Sequence, residues 1–203
     1  MEAPVFDAGL ELRAVGDGTR RLSGRFPYKK RAVIDSGGNG RRPKKEQFAS
    51  KAFSFAVEDE TRDIHLLIGH SFDRPLASRK AGTLALRDGD DALAFEAVLT
   101  QDIQRTSWAQ DFMAAYAAGL IGGISPGFRV APPEAVTKPE ETTDEPPAKG
   151  NALIRTIFAA VLFELSMVTR PAYLETEADL RAFNPTAEQG AARHFQAMAR
   201  WRA

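Results

Sequence analysis

The chain has 203 residues, 43% of them hydrophobic, and its 27 Lys+Arg balance its 27 Asp+Glu. That length supports one domain with a tail rather than two full cores, and the even charge gives no general pull toward nucleic acid or an acidic membrane. The absence of cysteine excludes disulfides, thiolate metal sites and cysteine nucleophiles, and leaves His65, His70 and His194 as the candidates for imidazole chemistry.

The N-terminal MEAPVFDAGLEL lacks a basic stretch followed by an apolar run, and no window approaches the ~18 apolar residues that span a bilayer. A soluble, intracellular protein is expected. The first 20 residues alternate weakly, and Arg20 to Ile34 reads as extended. Asp35 to Glu46 (DSGGNGRRPKKE) is glycine-rich, then basic, and predicts a mobile loop with a solvated surface. Thr61 to His70 predicts an interior strand. Strict alternation puts Ile64, Leu66, Ile68 and His70 on one face and His65, Leu67 and Gly69 on the other, so His65 and His70 are expected to be separated unless a bulge falls between them. Gly82 to Thr100 predicts a hairpin turning at Asp88-Gly89-Asp90-Asp91.

Arg105 to Leu120 has the helical period in Trp108, Phe112, Tyr116 and Leu120, with Thr106 or Ser107 to cap its start and Gly119 near its end. Ile121 to Val130 is short, apolar and glycine-rich. Residues 131–150 (APPEAVTKPEETTDEPPAKG) carry five prolines and many acids, and predict a flexible, disordered or extended excursion. Asn151 to Val168 is the most apolar stretch; Phe163, Leu165 and Met167 alternate with Glu164, Ser166 and Val168 as in a strand. The expected organisation is one domain over residues 1–183 and a helical C-terminal tail over 184–203. Strands dominate, which argues for a mainly β (α+β) fold, a small barrel or sandwich with peripheral helices.

Three residues stand out chemically. Ser125 lies in Gly122-Gly123-Ile124-Ser125-Pro126-Gly127-Phe128, where small neighbours let a substrate strand approach. A serine hydroxyl needs an adjacent base to become a nucleophile; the plain alternative is a serine in a glycine-rich turn. His70 ends an apolar strand and can project into a groove, or be satisfied by loop carbonyls. Glu164 is a carboxylate in an apolar strand and needs a partner. It can accept from a histidine ring and orient it, or pair with Arg155 or Arg170. His194 lies in the polar tail and reads as a surface residue. Scattered histidines without cysteine give no metal-ligand spacing. GLIGGISPG lacks the lysine of a phosphate loop. No metal and no cofactor are expected.

Taken in order, LLIGHSFDRP, GLIGGISPGF and FELSMVTRPA resemble the prohead protease family of tailed phages with HK97-type capsids. The resemblance runs from about Leu22 to Leu180. It implies a compact, mostly antiparallel β-barrel similar to that of herpesvirus assembly proteases. It also implies Ser125 as nucleophile, His70 as general base and Glu164 as third member, in the place where the herpesvirus enzymes use a second histidine. Pro126 departs from the family pattern: it has no amide proton for an oxyanion hole, and Arg170 is the candidate donor in its place. The implied function is a serine endopeptidase that cuts the major capsid protein or its scaffold segment inside an assembling procapsid. The herpesvirus analogy implies a homodimer. A non-catalytic assembly component that keeps the fold is the alternative, and a small β-rich ligand-binding module is a third reading.

Overall fold

The computed structural model describes residues 9–171; the expected helical tail over 184–203 lies outside them. In chain order the elements are β1 (Glu11–Ala14), β2 (Arg20–Pro27), β3 (Ala32–Asp35), β4 (Lys44–Phe48), α1 (Ser54–Val57), β5 (His65–Ile68), β6 (Ser71–Ser78), β7 (Leu84–Asp88) and β8 (Ala92–Leu99). There follow α2 (Gln101–Arg105), α3 (Ser107–Ala117), β9 (Gly123–Val130), β10 (Glu140–Asp144), a 3-10 turn at Pro147–Lys149, β11 (Leu153–Ile157) and β12 (Ala160–Val168). The fold is mainly β with few helices, as expected. Among the described residues the strands form three four-stranded sheets, ordered β1-β2-β8-β7, β10-β11-β4-β3 and β6-β5-β12-β9, none of them closed into the expected barrel.

The hairpin expected over Gly82 to Thr100 is β7 and β8, paired from Leu84↔Ala97 to Asp88↔Leu93. The helix expected from Arg105 is α3, preceded by the short α2; Thr106, which ends α2, caps α3 as expected, its Oγ1 accepting the Ala109 N–H at 3.4 Å. Phe112 and Tyr116 are buried against the sheets, but Leu120 falls after the helix and is exposed.

Two stretches read as loops contain strands. Lys44 and Lys45 of the basic segment belong to β4, which runs parallel to β11. The acidic excursion is ordered over β10, antiparallel to β11. The two segments neutralise each other. Arg42 Nη1 lies 2.6 Å from Asp144, and Lys45 Nζ reaches both oxygens of the buried Glu145 at 2.9 and 3.0 Å. Those Lys45 hydrogen bonds hold the Glu145 carboxyl below the usual range. Charge pairing between segments 100 residues apart leaves no periodic apolar signal in either one.

The core lies between the sheets. Phe48 is its aromatic centre, with ring centroids 5.4 Å from Phe26, 4.9 Å from Phe53 and 4.8 Å from Phe128. Such pairs add about 1 kcal/mol each beyond area burial. Phe128 sits on β9 and Phe48 on β4, so this cluster ties the sheet that carries Ser125 to its neighbour.

Candidate active site

The site is built on the third sheet. β12 is flanked by β5, which runs parallel, and by β9, which runs antiparallel. Leu165 and Met167 turn into the core at 0% and 1% exposure. Alternation therefore puts Glu164 and Ser166 on the opposite face. The register sets Ser125 across from Ser166 and Gly127 across from Glu164. Directly opposed residues share a face, with Cβ atoms about 5 Å apart. Ser125 thus stands on the face of Glu164, one strand over. It is half-buried in mid-strand, not in a turn, while its neighbours Ile124 and Pro126 are buried.

His70 is placed differently from the sequence expectation. β5 ends at Ile68, which pairs with Ser71 of β6. Gly69 and His70 are the two residues of the turn, with φ of +59° and +60°. Left-handed values at both positions are those of a tight hairpin turn. His70 therefore does not follow strand alternation, and the expected separation of His65 from its face fails. His65 is paired with Glu164 and shares its face. It has its own partners there: Asp63 Oδ2 at 3.4 Å, and an edge-to-face contact with the exposed Phe72 ring at 5.6 Å. After the turn, Ser71 to Ser78 is β6. Its Phe72, Asp73 and Arg74 bulge out between the pairs Ile68↔Ser71 and Leu67↔Pro75.

The turn delivers the His70 ring to Glu164, with Nδ1 2.7 Å from Oε1. A carboxylate only accepts, so Nδ1 carries the proton and Nε2 is left as the basic nitrogen. The His70 side chain is 48% exposed and that of Glu164 is 5% exposed, so the pair reaches from the interior to solvent. Both carboxylate oxygens are occupied, since Ser166 Oγ donates to Oε2 at 2.7 Å. The alternative pairing of Glu164 with Arg155 is not made: Arg155 binds Glu46 and Glu140. Gly127 supplies the room. A Cβ there would lie 2.0 Å from Glu164 Oε1 and 2.7 Å from its Cδ, so any side chain at this position would displace the Glu164 carboxyl.

The structure thus joins His70 to Glu164 and sets Ser125 on the sheet face of Glu164, one strand over. No hydrogen bond links the Ser125 hydroxyl to the His70 ring. Arg170 is exposed in the bend after β12 and makes no hydrogen bond or ion pair to Ser125, His70 or Glu164. His194 lies outside the described residues. Sequence reasoning missed two contributors, Gly127 and Ser166. Both are visible only as small residues at even spacing from Ser125 and Glu164, and strand alternation would have put each on its partner's face.

A family model described as Caudovirus prohead serine protease matches residues 34–189, a span that contains His70, Ser125, Glu164 and Arg170. No curated protein matches the chain significantly, and no solved structure does. The family match covers most of the sequence and includes every strand of the sheet that brings His70 to Glu164, and on it this chain belongs to the caudovirus prohead serine proteases.

Proposed function

We propose that the chain is a serine endopeptidase that removes N-terminal scaffold segments of the major capsid protein during prohead maturation of a tailed-phage or phage-like particle. Ser125 is its nucleophile, His70 its general base and Glu164 the carboxylate that orients the base. The observation that carries this reading is the 2.7 Å contact of His70 Nδ1 with buried Glu164, on the sheet face that also bears Ser125.

In this mechanism His70 Nε2 takes the Ser125 Oγ proton as Oγ attacks the scissile carbonyl. The tetrahedral oxyanion collapses, His70 returns the proton to the leaving amine, and an acyl-enzyme remains. Water then attacks the acyl carbon, giving its proton to His70, and Ser125 leaves with that proton restored. Glu164 holds the imidazolium that forms in each half. The serine–histidine bond in such sites is often loose before substrate binds and tightens in the complex. Pro126 has no amide proton for the oxyanion, so that role is assigned to Arg170, exposed at the end of β12. Cutting takes place inside the assembling procapsid.

A serine-directed fluorophosphonate probe tests the assignment without a known cleavage site. One adduct on Ser125, found by mass spectrometry and lost in His70→Ala, is expected. A folded chain that stays unlabelled would favour the non-catalytic assembly component.

Gly127→Ala should cut turnover by about 100-fold, because an ångström of displacement of Glu164 misplaces the base. The chain should still fold, since the clash is with the Glu164 side chain, from Cγ outward, and not with backbone. Turnover and a thermal melt on the same preparation separate the two effects. Normal turnover would show that Glu164 does not need its present position.

A further inference from the structure

We propose that Ser166 is a positioning residue of this site, whose buried hydroxyl fixes both the carboxylate that orients His70 and the turn that carries His70. The proposal rests on the protease reading above.

Ser166 is 0% exposed and sits between two core residues of β12. A buried hydroxyl has one proton to donate and lone pairs to accept with, and both capacities are normally used. Here both go to the same functional pair. Oγ donates to Glu164 Oε2 at 2.7 Å and accepts the His70 backbone N–H at 2.9 Å. One small group therefore touches the two ends of the Glu164–His70 contact, which itself closes at 2.7 Å. The three bonds form a ring through Glu164, Ser166 and His70.

The backbone half of this ring matters because of where His70 sits. Its φ of +60° is a conformation that residues with a Cβ avoid. In a free two-residue hairpin turn nothing outside the hairpin need hold the two central amides. Here β12 takes both: Gly69 N–H donates to the Met167 carbonyl at 3.0 Å, and His70 N–H donates to Ser166. The hydroxyl thus helps hold the turn residue in the left-handed state that aims its ring at Glu164. The other half acts on the acid. A side-chain carboxylate hinged at its last torsion would be free to turn from His70 if only Oε1 were bound. The hydroxyl on Oε2, an interaction made stronger by the carboxylate charge, fixes its plane.

A serine that merely fills space would be replaced by alanine without consequence for His70. The test uses the full chain with four variants: Ser166→Ala, the shape-matched pair Ser166→Thr and Ser166→Val, and Ser125→Ala as a reference. Two readouts are taken, the second-order rate of fluorophosphonate labelling at Ser125 and the downfield proton resonance of His70 Nδ1–H. Ser166→Ala should label about 10- to 100-fold more slowly, as expected for a misplaced base, and its His70 resonance should move or vanish. Thr and Val have the same outline and carry any packing cost equally. Ser166→Thr should therefore retain more of the labelling rate and the resonance than Ser166→Val.

Equal behaviour of the Thr and Val variants, or a wild-type rate and resonance in Ser166→Ala, would overturn the proposal. Failure of the protease reading is distinguishable. In that case Ser125→Ala takes up the probe as the parent chain does, while the His70 resonance in the Thr and Val variants still shows whether Ser166 holds the ring.

Discussion

Ser125→Ala should abolish processing of the capsid protein, with a loss on the order of 10⁶-fold in turnover, the size seen when a serine nucleophile is deleted from an assembled triad. The fold should survive. Ser125 is half-buried on β9, its hydroxyl makes no hydrogen bond to His70, and its removal leaves no buried polar partner unsatisfied. A stability change within about 0.5 kcal/mol is expected for such a substitution. In the proposed mechanism the nucleophile and base act as one unit, so His70→Ala should be nearly as damaging, and the double variant no worse than Ser125→Ala alone. Co-expression with the capsid protein, read by the mass of its mature N-terminus, measures all three. Unchanged processing by Ser125→Ala would remove the nucleophile assignment, and additive losses would argue that the two residues work apart.

The parts of this site legible in the sequence are those that depend on a residue type standing out from its surroundings. Glu164 is such a residue, a carboxylate in an apolar strand, and its need for a partner follows from burial alone. The β7–β8 hairpin and the α3 helix announce themselves through apolar periods of two and near four. Other features depend on strands distant in sequence. β4 and β10 look like loops because their charged side chains are compensated across the fold, Lys45 by Glu145 and Arg42 by Asp144.

Strand alternation misplaces His70 for a local reason. The strand ends at Ile68, and the next two residues form a turn in which both are left-handed. Gly69 was the sign, but a histidine in the second position is an unusual occupant. β6 was hidden by Pro75 and by the exposed bulge at Phe72, Asp73 and Arg74. The tie of Ser166 to His70 exists only because that turn folds back over β12. No reading confined to the β12 segment could have shown it.

Glu164→Gln should reduce turnover by on the order of 10⁴-fold while leaving substrate binding almost unchanged, as when the orienting carboxylate of a triad becomes an amide. The size follows from the two donors that Glu164 now satisfies. His70 Nδ1–H and the Ser166 hydroxyl each need an acceptor, and the carboxylate gives one oxygen to each. Glutamine has the same length but a single oxygen. If that oxygen faces Ser166, the amide NH₂ faces Nδ1, which must then be unprotonated to accept it. The proton moves to Nε2, and the base is lost. If the oxygen faces His70, the NH₂ meets a Ser166 oxygen that already accepts the His70 amide, and the hydroxyl proton loses its acceptor. The imidazolium in either arrangement lacks the negative charge that stabilises it. Glutamine fills the same volume beside Gly127, so the domain should remain folded. Separate measurement of kcat and KM decides the matter: a loss confined to kcat is the expected signature, and wild-type kcat in Glu164→Gln would reduce the Glu164–His70 contact to a structural tie.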